Sequence, residues 1–589
     1  MAHGSTSDPT AHPQPLLRRA VEFLDGEWNF CADADAKYAR PGAVSFDEVI
    51  RVPFAPETAA SGIGRLTGFD RTWYQRRLAV SAVEPSQRLL LHFGAVDREA
   101  TVWANDVQVA QHIGGYASFT ADVTDQAARG ELDIVVRADD DARALDVPRG
   151  KQDWEDEPHR IWYPRTSGIW RSVWLERVPI TSIASLRWSS DPATMTVSVL
   201  IDVEGPIDPA FRVNVQLSVH GQQLAEQTLR VISNTVSGTF AIGDGGMDDR
   251  RSLVWSPANP VLLDAVAQLI NSRGDVVDSV ESYTAIRSVR IDNGHYLLNN
   301  KPINLLFALD QGYWPESGAT APDSEALRRD LELARTLGFN GVRKHQKIED
   351  PRFFAWADRM GMLVWVEMPS AYVGGARTAG NLLTEWSAIV QAHASYPSVI
   401  GWVPINESWG VPNLEGDISH RSLVTALAAA TAAIDSSRPV SANDGWEVLG
   451  GDILGIHDYA QDPHDLRRRF GTRAAIEDYV RMRRADGKLV LLDGGDVNGR
   501  AVVLSEFGGT TLDAQATGGN WGYDTVSSAE AFVERVRELW EEVHASDVLA
   551  GGCWTQLTDT YQEVNGLLTF DRRPKADPQE LAAAVRGLR

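Results

Sequence analysis

Two glutamates stand out because each follows directly on a short and largely apolar run. Glu407 comes after residues 403–406, and Glu506 comes after residues 502–505. A buried strand that ends in a carboxylate presents that group at one rim of a sheet, so two such strands predict a facing pair. Glycoside cleavage uses such a pair, in which one group donates a proton and the other attacks or stabilises the anomeric carbon. Either glutamate taken alone is equally well explained by a structural ion pair.

The composition is typical of a soluble globular protein. Its 589 residues predict about three domains. The formal net charge of −24 argues against nucleic acid or an anionic membrane as a partner. The N-terminus shows no secretory signal, no apolar run is long enough to span a membrane, and the two cysteines, Cys31 and Cys553, lie far apart. These features predict a cytoplasmic protein without a disulfide framework or a cysteine metal site.

The first half of the chain has the alternating pattern of β-strands interrupted by turn residues. Residues 1–180 are predicted to form one β-sandwich, and residues 181–290 a second sandwich that resembles an immunoglobulin domain. The loop at residues 148–154 is long, polar and aromatic, so it can reach a ligand. An ordinary surface loop explains the same segment equally well.

From residue 291 to residue 589, candidate strands alternate with amphipathic helices, which predicts a (β/α)8 barrel. The clearest helix starts after Asp323, a candidate N-cap, and stops before Gly338. The candidate strands are residues 303–309, 341–344, 362–367, 400–406, 440–443, 453–457, 502–506 and 552–557. The active site of such a barrel lies at the C-terminal strand ends, where this chain carries Asp310, Arg343, His345, Glu367, Asn406, Glu407, Asn443, His457, Glu506 and Trp554.

Several motifs in the same order resemble glycoside hydrolase family 2, the family of β-galactosidases, β-glucuronidases and β-mannosidases. They are residues 24–28, 168–176, 340–345, 406–407 and 505–508. The resemblance covers nearly the whole chain. It implies a jelly-roll-like sugar-binding sandwich, an immunoglobulin-like sandwich and a catalytic TIM barrel.

The resemblance also implies a retaining exo-glycosidase that forms a covalent glycosyl-enzyme intermediate. Glu407 would be the acid/base and Glu506 the nucleophile. Asn406 would bind the sugar 2-hydroxyl, and Arg343 would keep the nucleophile ionised. That chemistry needs no metal or cofactor, and a carbohydrate is the expected partner. The sequence leaves the oligomeric state open, a homo-oligomer included.

Further residues are expected around the sugar. Trp554 is expected to be a stacking platform. An apolar wall such as Trp402 or Trp409 is expected to raise the pKa of Glu407 so that it holds its proton. His345, Asp310 and His457 complete the expected substrate-binding set.

One departure from the family pattern concerns the substrate. Family β-glucuronidases carry an Asn-x-Lys motif that grips the substrate carboxylate, whereas residues 561–569 contain no lysine and have Glu563 in its place. A glutamate there would repel a uronate, so we expect a neutral galacto-configured sugar, galactose first and then arabinose. A uronide hydrolase is the alternative, with Arg343, Lys344 or the Lys151 loop as the carboxylate partner. A non-catalytic carbohydrate-binding protein is disfavoured because both glutamates are present.

Overall fold

Two β-sandwiches precede a barrel of parallel strands in the computed structural model, which describes residues 8–242, 252–492, 494–512 and 522–588. This order confirms the multidomain architecture expected from the sequence. No helix in these ranges is long and apolar enough to cross a membrane.

The first sandwich consists of two antiparallel sheets that enclose a common apolar core, which includes Trp28 and Tyr74 from one sheet and Phe93 from the other. A short pair, Val96–Asp97 with Gly168–Ile169, lies beside them. In spatial order, the four-stranded sheet contains Val21–Phe23, Val173–Pro179, Gln87–Phe93 and Phe119–Asp122. The six-stranded sheet contains Glu48–Val52, Gly26–Ala32, Arg71–Ala79, Glu131–Asp139, Glu99–Ala104 and Val107–Ile113.

The second sandwich shows the alternation of buried and half-exposed residues that the sequence predicts. Along Arg212–Val219 every second side chain is buried, because successive side chains of a strand point to opposite faces. One sheet contains Ser182–Asp191, Thr196–Glu204 and Thr235–Ala241. The other contains Gln222–Arg230, Arg212–Val219, Leu263–Ile270 and Val276–Thr284.

Within the described ranges the barrel has seven parallel strands, preceded by a small sheet of Val289–Asp292, His295–Leu298 and Lys301–Pro302. Residues 440–443, predicted as the eighth strand, form no regular ladder with the other described residues. Trp402 bridges Val440, and two further isolated bridges follow, Asn406 with Asp444 and Gly445 with Ile456. The strands are Val399–Val403, Leu363–Glu367, Gly341–Lys344, Leu305–Asp310, Leu549–Thr555, Ala501–Gly508 and Ile453–Asp458.

The helices of the barrel begin at side chains that accept hydrogen bonds from the first turn. Asp323 accepts from the backbone N of Ala326 at 2.8 Å, which confirms it as the N-cap of Ser324–Thr336. Gly338 follows this helix with a φ of 98°. The remaining helices are Thr124–Ala127 in the first sandwich and Pro351–Met360, Ala376–His393, Ile418–Ile434, Pro463–Phe470, Arg473–Arg481, Ala529–Ala545 and Pro578–Val585 in the barrel.

A long loop of the first sandwich, residues 140–167, reaches the C-terminal ends of the barrel strands. The backbone N atoms of Arg149 and Gly150 donate to the carbonyl of Ser370 at 2.9 and 3.0 Å. Gly150 has a φ of 58°, and a Cβ there would lie 2.3 Å from the carbonyl oxygen of Gln346. The loop therefore rests directly on the barrel at a point where only glycine fits.

Replacing Gly150 tests whether this contact is needed by the site. We expect Gly150→Ala to lower kcat/KM by at least about tenfold, because small displacements of positioning groups cost that much. Far-UV circular dichroism should be retained, since Gly150 itself belongs to no helix or strand. Gly221→Ala is the matched control, because Gly221 has a φ of 77° but nothing within 4 Å of an added Cβ. Equal activity of the two variants would contradict the prediction.

Candidate active site

Glu407 is held in a strained backbone conformation just beyond the strand Val399–Val403. Glu407 and Ser408 have φ values of 53° and 58°, in the left-handed region that favours glycine. Each such residue costs on the order of 1–3 kcal/mol and persists where its surroundings enforce it. Here the backbone N of Glu407 donates to the Asp444 carbonyl at 2.9 Å, and that of Ser408 to Asn443 Oδ1 at 3.0 Å. These contacts fix the direction of the Glu407 carboxylate.

Glu506 lies within the strand Ala501–Gly508 and is almost fully buried. Its Oε1 accepts from Arg343 Nη1 at 3.2 Å, and its Oε2 accepts from the Tyr459 hydroxyl at 2.5 Å. The two donors lie on different oxygens and hold the Glu506 carboxylate in one orientation.

Arg343 is a completely buried guanidinium that connects the groups of the site. Its Nε donates to Glu367 at 2.6 Å, and its Nη1 lies 2.9 Å from Asp444. Its Nη2 donates to Asn406 Oδ1 at 2.7 Å. The amide oxygen of Asn406 is thus occupied, and its amino group has no hydrogen-bond partner in the part of the chain that the structure describes.

His457 lies between two carboxylates. Its Nδ1 is 2.7 Å from Glu407 Oε1, and its Nε2 is 2.9 Å from Asp444 Oδ2. Burial opposes a charge on the ring, but the neighbouring carboxylates of Glu506, Asp444 and Glu407 outweigh it and raise the pKa of His457 to about 9. The imidazolium donates to both neighbours at neutral pH.

The pairing with His457 lowers the pKa of Glu407. Burial favours its protonated form, but the hydrogen bond and the charge of His457, followed by the charges of His345 and Lys151, lower its pKa to about 2. The expectation of a raised pKa is therefore wrong for this state of the site. Trp409 donates to Glu407 Oε2 at 3.3 Å instead of shielding it, and Trp402 donates to Asp435, away from the site.

The two catalytic candidates lie close together. One ligand atom each of Glu407, His457 and Glu506 lies within 4.8 Å of the others. Such a set of atoms could also hold a metal ion. One oxygen of each carboxylate therefore lies within 4.8 Å of the other, which is compatible with the roughly 5–5.5 Å between the carboxyl groups of retaining glycosidases.

Most of the expected site residues meet here. Arg343, Asn406, Glu407, His457 and Glu506 form the network described above. His345 Nδ1 lies 2.9 Å from Glu367 and 3.9 Å from Glu506. Trp409 belongs to an aromatic wall with Tyr372 at 5.0 Å and Trp162 at 6.0 Å between ring centroids.

Two expected residues do not face the site. Asp310 is buried, with Oδ2 at 2.8 Å from Lys344 Nζ and Oδ1 accepting from the backbone N of Gly312. Both oxygens are thus used internally. The Trp554 side chain is 0% exposed and packs edge-on against Phe507, so its ring offers no free face for a sugar. Its position at a strand end was predicted correctly, but its direction into the core was not.

Glu563 lies at the edge of the site and is neutralised by the first sandwich. Lys151 Nζ is 3.6 Å from Glu563 Oε2, and the Tyr163 hydroxyl donates to the same oxygen. The sequence alone predicts an unpaired negative charge at Glu563. The pairing removes that reason for excluding a uronate.

Tyr459 and Asp444 are the functional candidates that the sequence analysis missed. Tyr459 comes two residues after His457 and directly follows the strand Ile453–Asp458, at the C-terminal strand end where site residues are expected. Asp444 directly follows Asn443, which was already recognised as a strand-end residue. Both therefore carried a positional signal.

Two sandwiches stand in front of a parallel barrel that carries a close glutamate pair at its C-terminal strand ends. The family model "Glycosyl hydrolases family 2, TIM barrel domain" matches residues 289–588, about half of the chain. The chain belongs to this family.

The relatives of this chain are named for different sugars. A Formosa agariphila protein named "Putative beta-glucuronidase" is 28% identical over 390 residues, which are 64% of this chain and 45% of that protein. A beta-galactosidase of Thermoanaerobacter pseudethanolicus is 23% identical over 356 residues, 57% of this chain and 45% of that protein. The chain thus spans about half the length of these two relatives.

Solved structures share the whole fold. A GH2 beta-galacturonidase of Eisenbergiella tayi bound to galacturonate has a TM-score of 0.72 at 18% identity, and the match covers 97% of both chains. At this identity the likeness establishes the architecture of the chain.

The His457–Glu407 pair predicts an unusual pH dependence. The pair keeps one proton until the pH rises through about 9, so the alkaline limb of kcat/KM should lie near pH 9. In His457→Asn the proton is held by Glu407 alone, and the limb should move to lower pH by more than about one unit. The measurement is the pH profile of kcat/KM over the range in which circular dichroism is unchanged. An alkaline limb at the same pH in both proteins would show that the pair does not carry the catalytic proton.

Proposed function

We propose that the protein hydrolyses terminal glycosides with retention of anomeric configuration. The observation that carries this proposal is the approach of the Glu407 and Glu506 carboxylates to within 4.8 Å. That spacing suits direct attack on the anomeric carbon and is too short for a water molecule to attack between them. The loop of the first sandwich walls off one side of the site, which fits a sugar at the end of a chain.

In the proposed mechanism, Glu506 attacks the anomeric carbon and Glu407 donates a proton to the leaving oxygen. Arg343 and Tyr459 donate to the two oxygens of Glu506 and hold that carboxylate in place for attack. The free amino group of Asn406 is suited to the sugar 2-hydroxyl. In the second step Glu407 removes a proton from water, which attacks the glycosyl-enzyme and releases the sugar.

For the sugar itself, we propose a β-uronide. The support comes from the relatives, since the Formosa agariphila protein is named as a glucuronidase and the Eisenbergiella tayi structure is a galacturonidase with bound galacturonate. The pairing of Glu563 with Lys151 is compatible with a uronate because it leaves no unpaired negative charge at this edge. A neutral galactoside is the second candidate, favoured by the absence of lysine from residues 561–569.

Two alanine variants separate the proposed roles. Glu506→Ala should lose several orders of magnitude in kcat on every substrate, because the covalent route is eliminated. Glu407→Ala should lose far more activity on substrates with poor leaving groups than on nitrophenyl glycosides, and azide should restore turnover and give a β-glycosyl azide. Equal damage to both substrate types without rescue by azide would contradict the acid/base role of Glu407.

A panel of nitrophenyl β-glycosides tests the choice of sugar. Glucuronide and galacturonide should have a higher kcat/KM than the glucoside and galactoside that differ from them only in a hydroxymethyl group. NMR of the first product formed should show the β-anomer. A higher kcat/KM on a neutral glycoside would refute the uronide and leave the retaining mechanism intact.

A further inference from the structure

Lys151 is a buried cation at the edge of the active site, with a side chain that is only 5% exposed. Its Nζ lies 3.6 Å from Glu563 Oε2 and 5.4 Å from the centroid of the Tyr163 ring. The ammonium has no hydrogen bond to any of the described residues, although it carries three donors. A buried ammonium with free donors calls for an acceptor that the protein itself does not supply.

The position of Lys151 places its charge near the reacting groups. Its charge is one of the influences, after those of burial, His457 and His345, that act on the pKa of Glu407. The backbone is fixed on both sides, since the Lys151 carbonyl accepts from the backbone N of Tyr163 at 2.7 Å and Gly150 donates to Ser370. The side chain therefore extends from a rigid support toward the site.

The other two cations proposed from the sequence, Arg343 and Lys344, already form ion pairs with carboxylates of the barrel. Arg343 is surrounded by Glu367, Asp444 and Glu506 at 2.6, 2.9 and 3.2 Å. Lys344 Nζ lies 2.8 Å from Asp310 and 2.8 Å from Glu349. A uronate that bound either cation would have to displace a buried carboxylate. Leaving that carboxylate without its partner costs a large amount of free energy.

We propose that Lys151 binds the carboxylate of the uronide and that Glu563 limits this interaction. The inference rests on the uronide glycone proposed above. The ammonium is shared between Glu563 and the substrate, so the strength of uronate binding depends on the charge of Glu563. The first sandwich would then supply the group that selects the sugar, while the barrel supplies the catalytic pair.

Opposite changes at the two positions test this arrangement. Lys151→Gln should lower kcat/KM on the nitrophenyl glucuronide or galacturonide by about 10- to 150-fold, the usual worth of a hydrogen bond to a charged group. The matched neutral glycoside should lose less activity, so the uronide-to-neutral ratio of kcat/KM should fall. Glu563→Gln should raise the uronide-to-neutral ratio, because Lys151 is then free and a repelling charge is gone.

Lys575→Gln is the matched control. Lys575 is also a buried lysine near this end of the barrel, but its Nζ donates internally to Asp559 and to the Val564 carbonyl at 2.6 and 2.8 Å. This variant should keep the wild-type ratio even if its thermal stability falls. Inhibition by free glucuronate and galacturonate gives a second measurement, and Lys151→Gln should raise both inhibition constants.

The outcomes separate the two proposals. If the wild-type protein prefers uronides and Lys151→Gln leaves the ratio unchanged, Lys151 is not the carboxylate partner, although the uronide proposal stands. An equal loss on both substrate classes would indicate a structural role and overturn the inference. If the wild-type protein prefers neutral glycosides, the uronide proposal fails and this inference falls with it.

Discussion

The buried charge of Arg343 is the interaction on which the rest of the site depends. A guanidinium without solvent contact is stable only when it is surrounded by anions and acceptors, and this one has Glu367, Asp444, Glu506 and Asn406 around it. These partners come from different strands of the barrel, so the charge fixes their relative positions. Removing the arginine would leave several carboxylates buried without a partner, which is among the most costly changes in a protein interior.

The same network determines where protons reside. Arg343 alone does not balance the surrounding carboxylates, and the remaining negative charge raises the pKa of His457 to about 9. The imidazolium in turn holds Glu407 in its ionised form. Under the proposed mechanism, the proton needed by the leaving group is therefore stored on the His457–Glu407 pair as a unit. A glycosidic oxygen that binds beside Glu407 would draw that proton across the 2.7 Å hydrogen bond.

Much of this arrangement could be predicted from the sequence because barrel strands bring their C-terminal ends together. That rule alone placed Arg343, Asn406, Glu407, His457 and Glu506 in one site. It could not give the direction of a side chain, so Trp554 was expected in the site although it lies in the core. Nor could it give contacts between distant segments. The partner of Glu563 is Lys151, more than four hundred residues earlier, and only the fold brings them together. The pKa of Glu407 depends on the same kind of contact.

Under the proposals above, the first sandwich recognises the sugar and the barrel carries out catalysis, because the charged side chains of the two domains have different partners. Arg343 and Lys344 of the barrel form ion pairs with buried carboxylates. Because these pairs must stay intact, the two cations are poorly suited to recognising different sugars. The loop of the first sandwich rests on the barrel through Gly150 and brings Lys151 and Tyr163 to the site without entering that network. Substitutions in this loop and at Glu563 can change the charge that a sugar meets while the environment of Glu506 stays the same. Under the proposed assignment, specificity and the nucleophile are held by different parts of the chain, while the charge of Lys151 also acts on Glu407.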